Sequence, residues 1–150
     1  MSDSEKIKGN PLTSTDCFIL ALEKHDTHKG TSGNTCRYIM ELEGKLNVDD
    51  FKNRLRNNIE SQQLASFSIQ KAGIFSVPKW KSNLALPIEV NIHESDSFLP
   101  QGILDKKISS EKANLFSFDI LNKSNGKSTL IFSWNHLIMD GYGAWESLDF

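Results

Sequence analysis

The chain contains no apolar run near the ~20 residues that a helix needs to cross a bilayer, so no transmembrane segment is expected. Cysteine is scarce: Cys17 and Cys36 are the only 2, and they form neither a C-x-x-C pair nor a zinc-ligand spacing. Both read as reduced, half-buried thiols of a cytoplasmic protein. No charge of one sign dominates. The net charge of −2 gives no electrostatic case for nucleic acid, and Lys106-Lys107 is the longest basic run. Arginine is restricted to Arg37, Arg54 and Arg56. There is no G-x-S-x-G and no Cys/His pairing signal, which argues against a serine or cysteine nucleophile. The polar segment Met1 to Asn10 has no apolar core of the kind a secretion signal needs. No internal repeat or low-complexity segment is visible.

What is present suits one globular domain. At 150 residues, 38% hydrophobic and 24% charged, the chain can bury roughly 68–70% of its unfolded surface. Residues 1–10 read as a disordered leader, and 11–150 as a single folded lobe. The segment Gly143 to Phe150 reads as a helix without a C-cap glycine or a basic last turn. This fits either a natural frayed end or a truncated chain, and of the two we expect truncation.

The patterning is mixed α/β. Ser14 to Lys24 reads as a helix with Phe18, Ile19 and Leu22 on its apolar face, and His25 to Thr35 as a loop. Cys36, Tyr38, Met40 and Leu42 alternate with Arg37, Ile39 and Glu41, as in a half-buried strand. Asn47 caps a helix, with Asp50 in capping-box position and Val48, Phe51, Leu55 and Ile59 on the inner face. Leu64 to Gln70, Phe75 to Lys81 and Ile88 to His93 read as strands, and Phe98 to Lys106 as a short helix. Leu115 to Leu121 and Ser128 to Asn135 are alternating runs joined through Asn125-Gly126, the signature of a type I′ hairpin turn.

That last strand leads into Asn135-His136-Leu137-Ile138-Met139-Asp140-Gly141, an H-x-x-x-D-G arrangement followed by a helix start. One histidine thus stands at a strand exit, where side chains are presented to clefts. The motif resembles that of the CoA-dependent acyltransferase superfamily, which includes chloramphenicol acetyltransferase, the condensation domains of nonribosomal peptide synthetases and the wax ester synthase/diacylglycerol acyltransferases. Those families carry H-H-x-x-x-D-G, so Asn135 stands here in place of the first histidine. The stretch Pro11 to Leu20 with Leu22-Glu23 resembles the opening of the wax ester synthase and condensation families. Met40 to Gly44, Leu46 and Asp49-Asp50-Phe51 resemble their first strand and the following helix.

The resemblance implies a two-layer α/β lobe: a mixed, mainly antiparallel sheet with helices on one face. It implies His136 as general base, with Asp140, Gly141 and Asn135 as structural support and an arginine, Arg37 by preference, as partner of Asp140. If no arginine is available, Asp140 is expected to cap its own turn through backbone N–H groups. Gly141 permits a tight turn or a close approach. Trp134, Tyr142 and Trp145 are either channel lining or simply core. Relatives have two such lobes with the active site between them, so a missing second lobe or a homo-oligomer is the expected partner.

The chemistry fits the residues. Acyl transfer from a thioester needs a base for the attacking hydroxyl or amine, and an imidazole of ordinary pKa about 6.5 serves near neutral pH. No bound cofactor or metal is expected; acyl-CoA or acyl-pantetheine is substrate. His25, Asp26 and His28 supply too few ligands for a metal and read as a solvated loop, as does Glu94-Ser95-Asp96. His136 and Asp140 lack a third ligand. The competing reading is a degenerate or isolated lobe that binds a partner, with Asn135 marking relaxed chemistry.

Overall fold

Strands β5 (Phe116–Asn122) and β6 (Ser128–Asn135) form the centre of the molecule, and every residue of both is buried. This computed structural model describes residues 10–28, 33–70, 77–82, 87–110 and 114–148. β6 pairs antiparallel with β5 on one side and with β1 (Thr35–Leu42) on the other. β4 (Glu89–Glu94) runs parallel to β5, giving a four-stranded sheet of order β1-β6-β5-β4. The sheet is therefore mixed and mainly antiparallel, as expected.

The two faces differ in chemistry because strand side chains alternate. In register, Phe116 opposes Trp134, Phe118 opposes Phe132 and Ile120 opposes Leu130. Phe118 stacks on Phe132 at 4.7 Å and meets Phe51 edge-on at 5.1 Å. Helices α2 (Val48–Asn57) and α3 (Ile59–Ser66) cover this face with Phe51, Leu55 and Ala65. The opposite face carries Ser117, Asp119, Thr129, Ser133 and Asn135, all buried, around a smaller apolar group of Leu121 and Ile131. The single-turn helix α4 (Gln101–Leu104) closes that group with Ile103. A two-stranded ribbon of β2 (Phe67–Gln70) and β3 (Lys79–Ser82) stands apart from the sheet.

Several local expectations are corrected. The helix opened by Asn47 ends at Asn57, because Asn58 turns extended and caps α3 through its Oδ1 and the N–H of Ser61. Ile59 thus begins α3 and is exposed, not part of the inner face. Leu64 to Ser66 are the last turn of α3, so the strand starts only at Phe67. Helix α1 (Ser14–His28) runs four residues beyond Lys24, taking in the start of the expected loop. Phe18 and Leu22 are exposed, whereas Glu23 is buried.

The hairpin turn is also of another type. Gly126 has φ of +80° while Asn125 does not have positive φ, and a type I′ turn needs both. The N–H of Gly126 instead donates to the carbonyl of Lys123 at 3.1 Å, and the N–H of Lys123 to the carbonyl of Lys127 at 2.9 Å. This is a type I turn followed by a left-handed glycine, the bulged hairpin loop. The β5–β6 register survives, with Asn122 opposite Ser128. Residues 1–9 of the expected leader lie outside the described residues; Asn10 accepts a bond from the N–H of Trp80 at 2.7 Å.

Candidate active site

The β6 ladder ends at Asn135, and His136 is the first residue of the turn beyond it. Its N–H donates to the carbonyl of Asn34 at 2.8 Å, which pins the turn to the segment entering β1. The imidazole is exposed, and its Nδ1 lies 3.2 Å from the carbonyl oxygen of Met139. A carbonyl only accepts, so in the neutral ring this contact puts the proton on Nδ1 and the lone pair on Nε2. The same Met139 oxygen accepts the indole N–H of Trp134 at 3.1 Å. The acceptor that orients His136 is itself fixed by a side chain of the core.

Asn135 is fully buried. Its Oδ1 accepts from the N–H of Leu137 at 2.9 Å, and its Nδ2 donates to the carbonyl of Ile108 at 2.7 Å and to Oε2 of Glu23 at 3.2 Å. The other oxygen of Glu23 accepts from the N–H of Ser110 at 2.9 Å. Glu23 escaped the sequence reading, since a single carboxylate in an amphipathic helix reads as solvated. Three side-chain bonds thus join α1, β6 and the segment after α4 behind the motif, and a fourth closes the turn itself.

Asp140 caps helix α5 (Gly141–Glu146): its Oδ1 accepts from the N–H of Gly143 at 2.8 Å. It has no arginine partner among the described residues. Arg37 instead donates through Nη2 to the carbonyls of Ile103 (3.1 Å) and Lys106, at the end of α4 and just after it. Burial holds its guanidinium below its ordinary pKa, with Asp119 opposing the shift. The expected pairing of Asp140 with Arg37 is therefore replaced by the helix cap, the other alternative. The reason is geometric: odd-numbered residues of β1 share the face of Ser133 and Asn135, and Arg37 opposes Ser133. Tyr38, on the other face, donates its hydroxyl to the carbonyl of Gly141 at 2.6 Å. A Cβ on Gly141 would lie 3.3 Å from that hydroxyl, so close approach is what the glycine permits here.

The aromatics divide. Trp134 is core, 5.0 Å from Tyr38 and 5.1 Å from Phe132. Tyr142 and Trp145 of α5 are exposed at 74% and 61%, so only these two are free to line a channel. Beside the turn lies a cleft of about 340 Å³ walled by Leu64, Phe67, Trp80, Leu137 and Ile138. Its volume is within the ~300–1,000 Å³ typical of ligand pockets. Two of its walls are the residues that follow His136.

A second histidine–aspartate pair was not visible in the sequence. His93 Nε2 lies 2.9 Å from Oδ1 of buried Asp119, and Lys106 Nζ lies 3.5 Å from Oδ2. His93 stands in register with Leu121, which opposes Thr129, seven residues from His136 along β6. At ~3.3 Å per residue the two histidines are separated by roughly 23 Å along the strand, so they do not share one site. Among the described residues no group of three or more metal-ligating side chains occurs, and the ring of His25 lies 3.3 Å from the carboxylate of its neighbour Asp26. Asp96, expected as solvated loop, holds the β5–β6 turn by accepting from the N–H (2.8 Å) and hydroxyl (2.9 Å) of Ser124.

No family model matches the chain, and no curated protein matches it. Solved structures do. The starter condensation domain of the rhizomide synthetase RzmA superposes with a TM-score of 0.72 at 13% identity, over 93% of this chain and 36% of that one. A variant of that domain in complex with C8-CoA gives 0.71 at 14% identity, over 91% and 33%. The X-domain from teicoplanin biosynthesis gives 0.67 at 14%, over 87% and 28%. Over the matched residues the chain has the fold of the corresponding part of a condensation domain. It spans only 28% to 36% of the length of these structures. No helix among the described residues is long and apolar enough to cross a membrane.

Proposed function

We propose that this chain is the histidine-bearing part of an acyltransferase that moves an acyl group from a CoA or carrier-protein pantetheine thioester to an alcohol or amine. The observation that carries the reading is the placement of His136: exposed at a strand exit, its Nδ1–H engaged by the Met139 carbonyl, its Nε2 without a hydrogen-bond partner among the described residues. As the acceptor attacks the thioester carbonyl, Nε2 takes the proton from the attacking O–H or N–H. The tetrahedral oxyanion collapses, the C–S bond breaks, and the imidazolium returns the proton to the departing thiolate. Such a base is worth about 10²–10⁴-fold. Asp140 and Gly141 hold the turn and take no proton. The solved structure with C8-CoA supports an acyl thioester as donor. The other wall of the site comes from the length that the similar structures have beyond this lobe, or from a second copy of the chain.

A second reading is a non-catalytic lobe that binds a partner, favoured by the exposure of Tyr142 and Trp145 beside the motif. Free-thiol release from a series of acyl-CoAs, combined with sedimentation, separates the two. Turnover lost in His136→Ala supports the transferase. A stable complex with a partner and no thiol release from any assembled form supports the binding module.

A further inference from the structure

Glu23 and Asn135 are both buried and stand 112 residues apart in the chain, and each has its polar atoms committed. The carboxylate of Glu23 only accepts, so the group facing it at 3.2 Å must be the amide nitrogen of Asn135. The Ile108 carbonyl at 2.7 Å imposes the same orientation. The amide oxygen is thereby turned to the N–H of Leu137. That bond, with the N–H of Ile138 donating to the carbonyl of Asn135 at 3.1 Å, closes the turn on which His136 stands. A closed turn brings the Met139 carbonyl to Nδ1 of His136. Which imidazole nitrogen carries the proton follows from the partner of the other.

From this chain of contacts we infer that Glu23 is a positioning residue for His136: together with the Ile108 carbonyl it fixes the flip of the Asn135 amide, and so favours the tautomer that leaves Nε2 unprotonated. The inference rests on the reading of His136 as base, but the contact chain can be tested without turnover. It also gives Asn135 a role of its own. An amide can donate to Glu23 and Ile108 while accepting from Leu137, whereas a neutral imidazole has one donor and one acceptor for the same three partners.

The test is ¹⁵N NMR of the His136 ring in the intact protein, in Glu23→Gln and in Asn135→Asp, above the imidazole pKa. Glutamine keeps the shape of Glu23 but replaces one of its two accepting oxygens by a donor, and aspartate removes the donor from position 135. In the parent, the Nδ1–H form should predominate and the Leu137 amide should exchange slowly. In both variants the Nε2–H form should rise and Leu137 exchange should quicken at least ~10-fold, as expected of a freed amide. Folded variants with an unchanged His136 tautomer would overturn the inference, whatever their stability. If neither variant folds, the parent decides. Resolved, slowly exchanging Asn135 side-chain amide protons uphold the contact, and protons in fast exchange with water refute it. Failure of the acyltransferase reading would appear separately, as absent thiol release with the tautomer shift intact.

Discussion

His136 and Trp134 share one acceptor, the carbonyl oxygen of Met139, at 3.2 Å and 3.1 Å. One side chain is exposed and the other is 2% exposed in the aromatic core. The ring that faces solvent is thus oriented by a carbonyl that the core holds in place. This is how a small lobe presents a fixed imidazole at a strand exit: the sheet supplies rigidity and the turn supplies access.

The capping role of Asp140 has a measurable consequence. Alanine at this position removes the acceptor for the Gly143 N–H. Asp140→Ala should cost about 1 kcal/mol in urea unfolding, the usual value of a lost N-cap, while Asp140→Asn, an equally good cap, should be close to neutral. A large loss with asparagine would mean that the charge, not the cap, is what the site needs.

Gly126 carries the left-handed conformation of the β5–β6 turn, with φ of +80° and open space around its Cα. Gly126→Ala should cost about 1–2 kcal/mol from backbone strain alone, with no steric contribution. The hairpin register, read from cross-strand NOEs between Phe118 and Phe132, should not change. A shifted register would show that the turn, and not the alternating core residues, selects the pairing.

Asp96 predicts acid behaviour of the same hairpin. The backbone N–H and hydroxyl of Ser124 hold its carboxyl below the ordinary value of 3.8. A carboxylate with a depressed folded pKa stabilises the fold above its unfolded pKa, and that contribution fades as pH falls through the folded pKa. The turn should therefore loosen only below about pH 3.8, seen as faster exchange of the Ser124 amide. Cys36 behaves in the opposite sense. Burial raises its thiol above the ordinary 9.0, so its alkylation rate should rise with a midpoint above pH 9.0. Its contribution to stability is complete below that pH and declines as pH rises through the folded pKa. An alkylation midpoint below 9.0 would contradict the half-buried placement.

The sequence carried the sheet and the motif well, for a physical reason. Phe116, Phe118 and Ile120 against Leu130, Phe132 and Trp134 make one apolar face by simple alternation, and the structure pairs them. His136, Asp140 and Gly141 sit in one local turn, so their spacing survives as a pattern. What the sequence hid depends on the third dimension. Ile59 looked like a core residue until Asn58 broke the helix. The role of Glu23 depends on a contact with the far end of β6, 112 residues away. The reach of Arg37 depends on which sheet face it shares with Ser133, a matter of register and not of spacing.

The central claim is that His136 Nε2 takes the proton of the attacking group. The direct measurement is the single-turnover rate of acyl transfer from acyl-CoA by the assembled protein, compared with His136→Ala of matched fold. The account predicts a rate lower by about 10²–10⁴-fold in the variant, with acyl-CoA affinity little changed. A variant that transfers the acyl group within a few-fold of the parent rate would contradict it.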